Sequence, residues 1–97
     1  MAETVDELTV NYEDEGILLC KEEDRHVLSK GAWATVMFLY RDYNRKEEDY
    51  GPLKVTIRRY QKRDGTYIPR SKFNISSLTQ AQKIVGALQN WVAEAEA

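Results

Sequence analysis

Between Lys54 and Lys72 the chain carries seven cations, Lys54, Arg58, Arg59, Lys62, Arg63, Arg70 and Lys72, against one acid, Asp64. Tyr60 and Tyr67 are interleaved with them, and Phe73 follows. Cations along a groove neutralise phosphates, and aromatic rings offer unstacked bases a face to lie on. A duplex hides its bases, so a basic and aromatic surface suits single strands better. The plainer account is a solvated face whose tyrosines cover aliphatic stems.

Other chemistries find less to work with. His26 is the only histidine and has no nucleophile or carboxylate constellation around it. No phosphate-binding glycine loop, metal-ligand spacing or nucleophile elbow occurs. The carboxylate pairs Glu22-Glu23 and Glu47-Glu48 lie in polar runs. The single cysteine, Cys20, forms no internal disulfide and sits in the apolar run Ile17-Leu18-Leu19-Cys20 as a small hydrophobe. The chain is therefore expected to be no enzyme, with no cofactor and no metal.

The elements that must position the cations follow from the period of the pattern. Leu53, Val55 and Ile57 point one way along a strand, while Lys54, Thr56, Arg58, Tyr60 and Lys62 point the other. Asp64-Gly65 is a strong hairpin signal. It returns Tyr67, Arg70 and Lys72 alongside the first set, with Pro69 restricting the returning strand to an edge or a bulge. Ala32 to Tyr43 has no breaker and is apolar enough on both faces to be a central strand. The N-terminal third reads as a short strand over 8–12, a turn at Glu13–Gly16, a return strand at Ile17–Lys21, and a loop to Gly31 with a short strand near His26–Leu28.

The last segment is a helix. Thr79 with Gln82, or Ser77 with Gln80, has capping-box spacing. Ala81, Ile84, Val85, Leu88, Trp91, Val92 and Ala95 then form one apolar face, expected to cover the sheet. Gly86 lies on the opposite, nearly uncharged face, as a tolerated glycine or a point of close approach for a second helix.

Charge is unevenly spread. The net value of −2 over 97 residues divides into nine acids and one base in residues 1–24, twelve bases and five acids in residues 25–75, and two acids and one base in residues 76–97. Screening confines fields to about 10 Å, so local charge decides what a phosphate feels, despite a pI of 5.4. The acidic leader suggests an electrostatic shield folded over the basic face; an added hairpin with a solvated surface is the simpler alternative. No apolar run approaches the roughly 20 residues of a membrane span, and the acidic N-terminus has the wrong sign for a targeting peptide. An intracellular location, in cytoplasm, nucleoid or nucleus, is expected.

Arg41-Asp42-Tyr43, the run Lys54-Val55-Thr56-Ile57-Arg58-Arg59-Tyr60, then Gly65 through Pro69 and Lys72 to Ile75-Ser76, and the capped helix together resemble the transcriptional positive-cofactor-four family. The likeness covers roughly Ala32 to Val92. It implies an α+β fold: a curved antiparallel sheet of four or more strands with one C-terminal helix, forming a homodimer with channels for single-stranded DNA. It implies backbone contacts from Arg41 and Arg58, stacking by Tyr43, a phosphate contact from Lys72, and Arg45 and Lys46 in a basic loop. The chain departs from the pattern in three places. Gln61 stands where a tryptophan is usual, the Asn44–Pro52 loop is longer, and Arg70 follows Pro69 where a glycine is usual.

The expected organisation is thus a disordered N-terminus over 1–7 and one domain over 8–97. That domain comprises an acidic extension (8–31), a core sheet (32–75) and a helix (77–95). The candidate interface is Arg41, Tyr43, Arg45, Lys46, Lys54, Arg58, Tyr60, Lys62, Arg63, Tyr67, Arg70 and Lys72. Expected partners are single-stranded DNA or RNA, a second copy and the transcription machinery, with no membrane. A dimeric protein-interaction module of the same fold is the competing expectation.

Overall fold

A computed structural model describes residues 2–96; Met1 and Ala97 lie outside the described residues. The elements are a 3-10 turn at Val5–Glu7, then β1 (Tyr12–Asp14), β2 (Ile17–Ser29), β3 (Trp33–Asn44), β4 (Asp49–Tyr50), β5 (Lys54–Arg63), β6 (Thr66–Ile75) and helix α1 (Leu78–Glu96). The strands form one antiparallel sheet in the order β1-β2-β3-β5-β6, with β4 paired to the end of β3. The expected α+β class, a curled antiparallel sheet with one C-terminal helix, is therefore observed.

Two turns carry positive φ at both central residues, Glu15-Gly16 (51° and 81°) and Asp64-Gly65 (50° and 82°). That geometry matches the twist of the flanking strands and favours glycine at the second position. The β5–β6 hairpin thus forms at the dipeptide that signals it. β6 is an edge strand, and its register slips between Arg59 and Tyr60, which pair with Ser71 and Pro69. Arg70 is the extra residue, so Pro69 sits at both an edge and a bulge.

Three expectations for the N-terminal third are corrected. Glu22–Gly31 is no loop: β2 runs unbroken to Ser29 along β3, absorbing its charged residues at two irregularities in register. Arg25 pairs with Glu22 at 3.0 Å, and Glu23 accepts from Arg41 at 3.2 Å, so those charges support the strand. The segment over 8–12 is not a strand, since pairing begins only at Tyr12. Residues 2–7 are ordered: Thr4 donates its amide and hydroxyl to Glu7 Oε1, and Tyr67 donates its amide to the Ala2 carbonyl at 2.8 Å.

That ordered segment makes the core. Val5, Leu8 and Val10 pack on Ala34, Val36, Phe38 and Tyr40 of β3, Tyr60 of β5 and Tyr67 of β6. Arg25 ties the turn down by donating to the carbonyls of Val5 and Asp6. The inner face of the sheet is therefore filled by the chain's own N-terminus.

The helix does not cover the sheet, contrary to expectation. Ser77 caps it by accepting from the Gln80 amide, while Gln80 Oε1 accepts from Ser76, which settles the capping choice. No residue of α1 is buried, and Val85, Leu88, Trp91 and Val92 are half exposed or more. The physical reason is that residues 5–10 already occupy the inner face, so the helix leaves the sheet after Ile75. The cross-strand row Met37–Ile57–Phe73, together with Leu39 and Val55, makes an apolar patch on the outer face. Phe73 remains largely exposed there.

Candidate nucleic-acid interface

Strand register sorts the candidate residues. Lys54, Arg58, Tyr60 and Lys62 pair across from Tyr40, Val36, Ala34 and the start of β3, and Lys72 and Tyr67 lie opposite Arg58 and Lys62. All six share the inner face, as alternation requires. Their accessibility differs. Tyr60 and Tyr67 are only 4% and 7% exposed, sealed beneath residues 2–10. The expectation that they offer stacking faces is corrected. Each is held by its apolar body, and the Tyr67 hydroxyl donates to the Gly31 carbonyl at 2.7 Å. Burial pushes the Tyr60 hydroxyl above its ordinary pKa.

Arg58 is the best positioned of the cations. Its Nε donates to the Thr56 hydroxyl at 3.2 Å, and Thr56, fully buried, donates to Asn74 Oδ1 at 2.7 Å. One side of the guanidinium is fixed by this relay, which reduces the ordering cost of gripping a phosphate. Lys54 is less free: Asp42 accepts from it at 3.0 Å and raises its pKa.

Arg41 and Tyr43, at odd positions of β3, face outward. Arg41 donates to the Gly51 carbonyl at 2.8 Å and pairs with Glu23. Tyr43 packs edge-on against Tyr50 at 5.2 Å between centroids. Arg45 and Lys46 lie in the turn after β3, where Arg45 pairs with Asp14 at 3.5 Å. By strand rise that turn is some 35 Å from the Asp64 hairpin beside Arg63. The twelve residues therefore do not converge on one open surface.

What does converge is a ribbon. Arg58, Arg59, Lys62, Arg63, Arg70 and Lys72 all lie on β5 and β6, and none forms an ion pair among the described residues. By contrast Lys21 and Arg25 of β2, Arg41 of β3 and Arg45 of the following turn are met by acids of β1 and β2, while Lys46 in that turn forms no ion pair among the described residues. The acidic leader neutralises its own half of the sheet and leaves the ribbon charged.

Comparison with protein-family models, with curated proteins and with solved structures finds no match. The interface must be read from its own geometry. Two residues of that geometry, Trp33 and Arg59, stand outside the twelve sequence candidates. Arg59 lies over the Trp33 ring, its guanidinium carbon 4.7 Å from the centroid, and Gln61 is the direct cross-strand partner of Trp33. Arg70, expected on the inner face, bulges to this outer side and donates from Nε to Gln61 Oε1 at 3.0 Å. Alternation alone places Arg59 opposite Arg58; the signal missed was that Ala32–Tyr43 pairs with Lys54–Lys62 in a register beginning at Trp33. No helix among the described residues is long and apolar enough to cross a membrane.

Proposed function

We propose that this chain is a homodimeric, sequence-tolerant binder of single-stranded nucleic acid, DNA or RNA, acting inside the cell in transcription, replication or repair. The observation that carries the reading is the set of six cations without acidic partners on one edge ribbon. Surface cations left unneutralised in a chain of net negative charge are poised for an external polyanion. An edge strand is open along its whole length, so a flexible strand can track β6 and meet Arg58 and Lys72 on one side and Arg59 and Arg70 on the other. A rigid duplex cannot wrap an edge in that way.

Dimerisation is part of the proposal. The chain exposes 7075 Å², whereas a compact monomer of 11.3 kDa exposes about 5,700 Å². The excess is of the order of the 800 Å² that each partner contributes to a standard interface. The radius of gyration, 15.6 Å, also exceeds the roughly 13 Å of a compact 100-residue domain. The stripe Val85, Leu88, Trp91 and Val92 on α1 and the patch Met37, Ile57 and Phe73 supply the apolar surface that a second copy would cover.

A second reading has a specific observation behind it. Tyr60 and Tyr67 lie under the N-terminal segment, which suits a dimeric protein-interaction module that keeps the fold without the ligand. Titration of labelled single-stranded and duplex oligonucleotides separates the two. Neutralising about five phosphates weakens single-strand binding on the order of 100-fold between 50 and 200 mM salt, from a slope of about −0.7 per phosphate. Absence of oligonucleotide binding at 50 mM salt would overturn the first reading and favour the second.

A further inference from the structure

Single-strand binding needs a ring for bases as well as cations for phosphates, and the two buried tyrosines do not provide it. The remaining aromatics sort by surroundings. Tyr12 stands beside Glu13, Asp14 and Glu15; Trp91 belongs to the apolar stripe of α1, and Phe73 to the apolar patch with Met37 and Ile57. Tyr43 is occupied by Tyr50. Trp33 differs from all of these, being 42% exposed and bordered by cations that have no acid partner.

Resting on the single-strand reading, we propose that Trp33 is the base-stacking platform of this chain, with Arg59 and Arg70 as the phosphate contacts beside it. Arg59 holds one side of the indole by cation–π attraction at 4.7 Å, fixing the ring without salt-bridging to anything. Gln61, directly opposite Trp33, holds Arg70 through its side-chain carbonyl at 3.0 Å. One ring and two guanidinium groups are thereby oriented before any ligand arrives. An indole is the largest stacking surface a side chain offers, and base stacking on it is indifferent to base identity. The site lies at the end of the outer face away from α1: Trp33 is four residues along β3 from Met37, the nearest β3 residue of the patch assigned to the second copy, about 13 Å by strand rise, and α1 leaves from the Ile75 end of β6, which pairs beside Val55 and Leu39.

The test uses the full chain and labelled oligothymidylate at 50 mM salt. In a Trp91→Phe protein Trp33 is the sole indole, and its emission should be strongly quenched as the oligonucleotide saturates. Trp33→Ala should weaken binding between about fivefold and a hundredfold, the range of one base–ring stack. Trp33→Phe should restore most of that loss. The salt slope should stay unchanged in both, because no charge is removed, whereas Arg59→Ala or Arg70→Ala should flatten it by about 0.7. Quenching needs no change at Trp33, so it decides the matter even if Trp33→Ala folds poorly. Tight oligonucleotide binding with unquenched Trp33 emission and an unimpaired Trp33→Ala protein would overturn this assignment and leave the single-strand reading standing. No oligonucleotide binding by the unmodified chain would overturn both.

Discussion

Arg58 and Thr56 show how a single buried hydroxyl organises a charged surface. Thr56 accepts from Arg58 and donates to Asn74, so the guanidinium is aimed from a fixed point on the inner face. Reversing the charge there should cost more than one phosphate contact, because repulsion is added. Arg58→Glu is expected to lower single-strand affinity at least tenfold while the thermal melt stays near that of the parent; near-normal binding would remove Arg58 from the interface. A different residue-scale prediction concerns alkaline pH. Burial raises the pKa of both Tyr40 and Tyr60. The neutral hydroxyl is thus favoured in the folded state, and the associated stability is fully present below the ordinary tyrosine pKa near 10. It is lost as pH rises through the raised folded values. Tyrosinate absorbance should accordingly show two late-titrating groups whose ionisation coincides with loss of the native circular dichroism. Their titration at the ordinary value with the fold intact would contradict the burial described.

At the scale of elements, the N-terminal segment is a piece of the core with an acidic outer surface. Val5, Leu8 and Val10 seal the inner face, so the segment is structural, and the ion pairs of the acidic leader fall on Lys21, Arg25, Arg41 and Arg45 and not on the β5–β6 ribbon. Leu8→Ala should destabilise the fold by about 2–4 kcal/mol, as buried leucine truncations do, measured by chemical denaturation with an unchanged m-value. A cost below about 1 kcal/mol would mean that the segment lies loosely on the sheet. The strands and hairpin were legible because alternation at Leu53–Lys62 and the Asp64-Gly65 turn are local signals. The leader was not, because Val5, Leu8 and Val10 follow neither a helical nor a strand period; only the vacant inner face explains them. The polar stretch Glu22–Arg25 also concealed a strand, since its charges are balanced by one another and by Arg41 on the neighbouring strand rather than by anything close in sequence. The bulge at Arg70 was hinted at by Pro69, but the change of face that follows depends on register.

The whole molecule is flat and extended, 53 × 38 × 17 Å, and one side of its sheet and one stripe of its helix lack a covering layer. The helix was legible from its three-and-four spacing, and its placement was not, because an apolar stripe does not state whose surface it will meet. Sedimentation should give twice the 11.3 kDa chain mass at micromolar concentration. Leu88→Glu, on the exposed stripe, should shift it to monomer without unfolding the sheet. A monomeric parent chain at 100 µM would contradict the dimer.

The likeness in the residues around Arg41, Arg58 and Lys72 points to β3, β5 and β6, while the surface proposed here is the outer edge of β5 and β6 and not a hollow lined with tyrosines. Amide and indole shift mapping with a short oligothymidylate tests that assignment most directly. The account predicts perturbations concentrated at Arg58–Arg63, Arg70–Lys72 and the Trp33 indole, with Tyr60 and Tyr67 ring signals still showing their contacts to residues 2–10. Perturbations confined to α1 or to the Arg45–Lys46 turn, or none at saturating oligonucleotide, would contradict it.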